Sequence, residues 1–441
     1  MRKEIQKQDS AFRSLIGEQK LKPSASYRRS IYCVWEEKDG NTVLFHTLTT
    51  QCVLLRNERF SDSVFSAETV EKDPQLFWLM QRYFLVPVDF QDEAFYRSTL
   101  FLLRKRDEKE GYFKYTILPT TGCNARCVYC FEQGYRIVSM SEETAKQAVR
   151  FILDTKRDRV KITLSWFGGE PLTRPQIIDA ISRRLTEEGV DFRSSIVTNG
   201  SLIDDSVLSK MLGLWKTYHV QISMEGDEAV YRSRKQYPVY DNQYFDILKN
   251  AEILAKNGIQ VLLGCNVDSE NADRIPDFVA DAARMIPDKE KVRIAFPQLF
   301  ASRMSDREAE LHQKIIEADR YLLESGFPQN FDGFPDRMKL YGCMADGRGR
   351  EIVIAPDGKL YACEHCEEDK SFGNIWDGVT DRERWDAMGR IDSGQEKCRN
   401  CPYLPLCTPF SGCSVSDYGC REMHAMNLSL GMRNALANDN A

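Results

Sequence analysis

Three cysteines, Cys123, Cys127 and Cys130, stand in the run TTGCNARCVYCFE with the spacing C-x3-C-x2-C. The run follows a strand-like segment, so three thiolates share one tight loop. A four-iron cluster needs four ligands; three thiolates would leave one iron open to a small molecule. The competing reading is a zinc knuckle, which asks for a fourth Cys or His nearby. Residues 131–138 contain neither. The chain holds fourteen cysteines, eight of them between Cys343 and Cys420. In a reducing compartment such clusters read as metal or iron–sulfur ligands rather than disulfides. Cys33, Cys52 and Cys265 stand apart and read as small buried side chains.

The elements that must position these groups follow from periodicity. β-rich runs occur at Phe113–Leu118, Ile162–Phe167, Ser194–Thr198, His219–Met224, Gln260–Val267 and Val292–Phe296. Between the first two, Ala145, Ala148, Val149, Ile152 and Leu153 recur at helical spacing, with Ser139 and Glu142 as a capping-box signal. Ile177, Ile178, Ile181 and Leu185 mark the next helix. Alternating strands and helices imply right-handed βαβ units and a parallel sheet. Six units are too few for a closed eight-stranded barrel, so the expected α/β core is an open, partial six-stranded parallel β/α barrel.

Ligands in such folds bind at the C-terminal strand ends. The unusual residues collect there: the three-cysteine loop, Gly168-Gly169-Glu170-Pro171, Thr198-Asn199-Gly200, Ser223-Met224-Glu225-Gly226, and Asn266. Gly168 and Gly169 allow close backbone approach to a ligand, Glu170 offers an acceptor to an ammonium, and Ser223 suits a ribose hydroxyl.

Before the core, Ser30–Glu36 and Thr42–His46 are strand-like and joined through Lys38-Asp39-Gly40, a hairpin signal. Helical stretches follow near Gln75–Phe84 and Asp92–Leu103. After the core, Glu351–Ala355 and Lys359–Cys363 flank the turn Pro356-Asp357-Gly358, and beyond them the chain is Cys- and Pro-rich. Trp376 and Trp385 read as packing residues, and His365 as an exposed loop residue. The expected division is 1–110, an N-terminal β-hairpin/winged-helix-like module; 111–327, the barrel; and 328–441, a Cys-rich extension. The net charge of −6 argues against a nucleic-acid partner. No run approaches the ~18 apolar residues of a membrane span, and the N-terminus lacks an apolar signal core. A cytoplasmic location is the resulting expectation.

The three-cysteine loop followed by Gly168-Gly169-Glu170-Pro171 resembles the radical S-adenosylmethionine superfamily. The resemblance covers about Tyr112 to Phe327. It implies a cluster held by Cys123, Cys127 and Cys130, with S-adenosylmethionine on the fourth iron. It also implies that Tyr129 packs on adenine, that Gly169 and Glu170 lie by the methionine amine with Gly168 in the same cofactor-binding run, and that Ser223 and Arg234 reach ribose and carboxylate. Thr198, Asn199 and Asn266 complete the cofactor-binding rim. The C-terminal cysteines resemble the superfamily's SPASM extension: Cys343, fourteen residues, Gly358, four residues, Cys363; then Cys398-x2-Cys401-x5-Cys407, Cys413 and Cys420. The gap between Cys407 and Cys413 departs from the pattern, with five residues where three are usual. By resemblance, Cys398, Cys401, Cys407 and Cys420 close one auxiliary cluster, and Cys343, Cys363 and Cys413 hold another, for three 4Fe-4S clusters in all. Cys366, three positions after Cys363, is a candidate for the missing ligand.

SPASM-bearing members mostly modify peptides, and the N-terminal module resembles the recognition element that binds leader peptides. The expectation is a maturase (RiPP type) that takes a hydrogen from a precursor peptide and forms a thioether or carbon–carbon crosslink. Its partners would be the leader-bearing precursor and a reductant such as flavodoxin or ferredoxin. Glu225 is the candidate proton acceptor. The rivals are an anaerobic sulfatase-maturing type enzyme, which usually carries Asp at the position of Glu225, and an electron-transfer or scaffold protein. The competing reading for the extension is a zinc ribbon built from Cys363-x2-Cys366 and Cys398-x2-Cys401.

Overall fold

The apolar runs and amphipathic helices of the middle region become six parallel strands: β1 (Phe113–Ile117), β2 (Ile162–Trp166), β3 (Phe192–Thr198), β4 (Thr217–Met224), β5 (Gln260–Cys265) and β6 (Val292–Ala295). They lie in sequential order, each hydrogen-bonded in parallel to the next. The connecting helices are α1 (Glu142–Thr155), α2 (Pro175–Glu187), α3 (Asp205–Leu212), α4 (Tyr244–Lys256) and α5 (Ile275–Met285). This computed structural model describes residues 2–17, 24–56, 60, 63–110, 113–156, 161–239, 243–297, 299, 306–328, 334–335, 337–340, 351–366, 368–387, 396–407, 425, 428–429, 431–433 and 435–436. The fold is the expected α/β core with a mostly parallel sheet.

β2 is buried along its whole length, as a parallel strand covered on both faces must be. α1 buries Ala145, Ala148, Val149 and Ile152, and α2 buries Ile177, Ile178, Ile181 and Leu185. These side chains join one apolar core with Leu164, Ile196, Val220 and Leu263 from the strands. The cap of α1 differs from expectation. Ser141, not Ser139, accepts the N–H of Thr144, because the helix starts at Glu142. Ser139 instead meets the Thr120 hydroxyl at 3.0 Å.

The sheet continues past β1. Glu351–Ile354 pairs in parallel with β1, and its hairpin partner Lys359–Tyr361 runs antiparallel to it. At the turn, Gly358 has φ +84, and a Cβ there would collide with the Trp376 ring. Trp376 therefore covers the turn while staying 52% exposed, so it is not a core residue; Trp385, edge-on to Phe372, is one.

The chain divides into two compact units. The barrel unit is Gly111–Asn330 with Met344–Gly389; the other is Met1–Glu110 with Phe331–Cys343 and Arg390–Ala441. In the latter, Cys33–Lys38 and Asn41–His46 form the expected hairpin, and Asp39 and Gly40 take the positive φ values (51° and 79°) of a two-residue hairpin turn. Gln51–Leu55 and then Arg2–Gln6 complete a four-stranded antiparallel sheet, with Cys33–Lys38 and Arg2–Gln6 at its edges. Helices Ala67–Lys72, Pro74–Gln81 and Asp92–Glu110 belong to the same unit. Cys33, Cys52 and Cys265 are all fully buried. Among the described residues, no helix is long and apolar enough to cross a membrane.

Candidate active site

The end of β1 and the end of β2 meet through backbone. Gly169 N–H donates to Thr120 O at 3.1 Å, and Glu170 N–H to Gly122 O at 3.0 Å. A Cβ on Gly169 would stand 2.5 Å from Gly122 O, and one on Gly168 would strike Thr120 O. The close approach these glycines permit is thus to the cysteine loop itself. On the loop's other side, Arg126–Cys127 pairs antiparallel with Lys235–Gln236, Cys127 opposite Lys235. Val128 N–H adds a bond to Arg234 O at 3.0 Å. Cys123, Cys127 and Cys130 are each half-buried, and Cys130 N–H closes a turn onto Cys127 O at 3.2 Å. Burial pushes the Cys123 thiol up to about 11 and raises Cys127 and Cys130 as well. Lys235 draws Cys127 back toward thiolate, which is the form a metal takes.

Glu170 ties three strand ends together. It is fully buried; Oε1 accepts from Leu172 N–H at 3.0 Å and the Thr198 hydroxyl at 2.8 Å, and Oε2 from Asn199 N–H at 2.8 Å. Burial raises its pKa, and these three bonds hold the rise in check. Most of the acceptor capacity expected for an ammonium is therefore spent on the chain's own donors. The Asn199 amide bonds Asn124 Oδ1 at 2.8 Å, which fixes the loop beside Cys123.

At the end of β4 lies a buried ion pair. Lys235 Nζ donates to Ser223 O at 2.6 Å and Ser223 Oγ at 2.7 Å, and stands 3.3 Å from Glu225 Oε1; both charged side chains are inaccessible. Three contacts use all three ammonium donors. Tyr129 O–H donates to the same Glu225 oxygen. Burial raises the Glu225 pKa against the pull of Lys235 and Tyr129; burial opposes the Lys235 charge, but Glu225 and Cys127 raise it overall. Arg234 is nearly buried, and its Nη2 bonds Asp268 and Glu270. Asn271, a residue sequence reading missed, bridges Glu225 O at 2.7 Å and Asn266 O at 2.8 Å. Lys235 was missed too. It stands just after a helix that ends at Arg234, and its pairing opposite Cys127 joins segments far apart in the chain, which leaves no local mark in the sequence.

Two buried atoms of this rim lack partners: the acceptor Glu225 Oε2 and the donor Arg234 Nη1. Stranded buried groups are costly and point to a missing ligand. A molecule carrying both a carboxylate and ammonium or hydroxyl donors, as S-adenosylmethionine does, fits this orphan pair.

The other predicted ligands fall in different places. Cys363 and Cys366 lie in the barrel unit, on a turn packed against the segment after Cys130. His365 is half-buried there, not exposed. Cys398, Cys401 and Cys407 lie in the other unit; Cys398 and Cys401 pack with Tyr32, Tyr96 and Leu404. Cys343, Cys413 and Cys420 lie outside the described residues.

A partial parallel barrel whose rim joins a three-thiolate loop to a buried polar cradle defines a cluster-bearing α/β enzyme core. The sequence model of the Radical SAM superfamily matches residues 117–282, and the chain carries a radical SAM domain. S-adenosylmethionine and one four-iron cluster are accordingly its cofactors. The chain is 28% identical to the AdoMet-dependent heme synthase of Methanosarcina barkeri, over 68% of this chain and 90% of that protein. It is 24% identical to a serine-type anaerobic sulfatase-maturating enzyme of Klebsiella aerogenes, over 65% and 76%. The solved structure of anSMEcpe with bound AdoMet superposes with a TM-score of 0.57 at 18% identity, covering 74% of this chain and 98% of that one.

Proposed function

We propose that this radical SAM enzyme is a maturase that crosslinks a ribosomally made precursor peptide, through a thioether or a carbon–carbon bond. The observation that carries the peptide reading is the edge strand Cys33–Lys38, which among the described residues pairs on one side only. An extended leader segment would add to that edge, with main-chain bonds giving affinity.

In the barrel, Cys123, Cys127 and Cys130 would hold the cluster. When bound, cluster and S-adenosylmethionine supply a carbon-centred radical that removes a substrate hydrogen. The chain's residues orient the ligand. Arg234 Nη1 would take the carboxylate, and Glu225 Oε2 would accept from the ammonium or a ribose hydroxyl. The Ser223 hydroxyl, which accepts from Lys235, keeps its proton for a ligand oxygen. Tyr129, Lys235 and Asn271 hold Glu225 in place. Buried without its Oε2 partner, Glu225 also suits the proton-acceptor role once substrate is bound. A low-potential one-electron donor such as flavodoxin or ferredoxin would be the reductant. Auxiliary clusters on the C-terminal cysteines belong to the same reading.

The test is anaerobic turnover with the short peptides encoded beside this chain's gene, read by mass spectrometry. Deoxyadenosine formation with loss of two hydrogens from the peptide is the expected result. Mass loss at a single Cys without a crosslink would replace this reading by formylglycine formation, which the Klebsiella relative's name makes the nearest rival. Turnover of a porphyrin with every peptide inert would overturn both.

A further inference from the structure

We propose, resting on the reading above that the C-terminal cysteines bind clusters, that the hydroxyls of Tyr32 and Tyr96 donate hydrogen bonds to sulfur atoms of the cluster that Cys398, Cys401 and Cys407 help to hold. These bonds make that cluster easier to reduce. All five residues belong to one compact unit, the one that contains the N-terminal sheet. The three thiols stand within residues 398–407. Cys401 N–H closes a turn onto Cys398 O at 3.2 Å, and Cys407 N–H donates to Tyr403 O at 3.0 Å. Thr47 fastens this segment to the stretch that carries Tyr32. Its N–H donates to Tyr32 O at 2.8 Å, and its hydroxyl lies 3.2 Å from the same carbonyl and 2.5 Å from Pro402 O. Pro402 directly follows Cys401. The rings of Tyr32 and Tyr96 have centroids 6.0 Å apart, and both join the apolar cluster that includes Cys398, Cys401 and Leu404.

Both tyrosines are 1% exposed, and neither hydroxyl finds a hydrogen-bond partner among the described residues. A phenol buried in this way forfeits the bond it made to water, and native interiors keep such groups rare. Two of them, beside three thiols, point to a shared acceptor. Burial raises both phenols far above their ordinary range. Thiolate charge adds to the rise, from Cys401 at Tyr32 and from Cys407 and Cys398 at Tyr96. Each hydroxyl therefore keeps its proton and acts as a donor. Such a donor set fits an iron–sulfur cluster, whose thiolate and sulfide sulfurs accept hydrogen bonds. Bonds to those sulfurs stabilise the more negative reduced state and so raise the reduction potential.

The experiment uses the full chain carrying Cys123→Ala, Cys127→Ala and Cys130→Ala, so that any cluster present is auxiliary. Adding Cys401→Ala identifies this cluster's reduced-state EPR signal as the one that disappears. With Cys401 intact, Tyr32→Phe and Tyr96→Phe are introduced singly and together. Phenylalanine keeps the ring and its packing and removes only the hydroxyl. Redox titration should show unchanged iron and sulfide. The assigned signal should become harder to reduce by roughly tenfold per hydroxyl in its reduction equilibrium, which is about 59 mV for one electron. Any second auxiliary signal should titrate as before. An unmoved potential in either Phe variant would overturn the inference. Loss of iron from a Phe variant would also overturn it, because a donor to sulfur tunes a cluster without holding it. If the triple variant holds no iron–sulfur cluster, or if all its signals survive Cys401→Ala, the underlying reading fails, and the inference with it.

Discussion

Lys235 is the residue on which the rim turns. Its ammonium is inaccessible, and its three donors go to Ser223 O, Ser223 Oγ and Glu225. Removing one partner of a buried ion pair leaves an uncompensated charge, a loss of about 3–5 kcal/mol. Lys235→Met should therefore lower the unfolding free energy by that amount in urea titrations. Lys235→Met combined with Glu225→Gln should recover part of it, because the stranded carboxylate is gone. A double-variant loss equal to the sum of the two single-variant losses would show that the pair is not coupled. Tyr129→Phe tests the neighbouring bond. A hydrogen bond to a charged group contributes about 1.5–3 kcal/mol, so S-adenosylmethionine cleavage should slow by roughly 10- to 100-fold, with cluster iron unchanged. Most of this site could be read from the sequence because each member sits at a strand end beside a turn residue: the cysteine trio, Glu170 after two glycines, Ser223 and Glu225 before Gly226. Lys235 could not, because its importance arises from the short ribbon it forms with Cys127, a pairing across more than a hundred residues.

At the scale of elements, the contact between the ends of β1 and β2 is made of backbone, and it exists only because Gly168 and Gly169 lack side chains. A methyl group on Gly169 would meet Gly122 O at 2.5 Å and force the two strand ends apart. Gly169→Ala should lose most of the iron bound by the Cys123–Cys130 loop while the far-ultraviolet spectrum of the barrel stays the same; full iron retention would count against this coupling. The cap of α1 gives a second test. Ser141 Oγ accepts the Thr144 N–H at 3.0 Å, and losing such a cap costs about 1 kcal/mol. Ser141→Ala should show that loss in thermal unfolding. Local periodicity made β1–β6 and their helices legible, and the Asp39-Gly40 turn announced its hairpin. The reading of Ser139 as the cap failed because the capping pattern tolerates a two-residue shift when serines stand at both positions. The joining of Glu351–Ile354 to β1 was invisible, since parallel pairing between distant segments leaves no local mark.

The whole molecule combines two units with different sensitivities, and acid should separate them. His46 is fully buried in the N-terminal sheet. Its Nδ1 accepts the Thr49 N–H at 3.2 Å, and its ring lies edge-on to Phe84. Burial pushes its pKa down to about 3, against a normal value near 6.5. Above pH 6.5 neither folded nor unfolded chain holds this proton, and His46 contributes no pH dependence. Below it the unfolded chain binds a proton that the folded chain refuses until about pH 3. Stability then falls by about 1.4 kcal/mol per pH unit across that window. Between pH 6.5 and 5 the N-terminal unit should lose about 2 kcal/mol from this histidine alone. Hydrogen exchange should report it as faster opening of Asn41–His46 and Gln51–Leu55, while β5 of the barrel keeps its protection. His46→Gln, which retains an acceptor for Thr49, should remove most of the slope. Because the proposed leader-binding edge belongs to this sheet, mild acid should weaken peptide binding before it affects S-adenosylmethionine cleavage without peptide. Parallel loss of both on acidification would show that the two units do not fail independently.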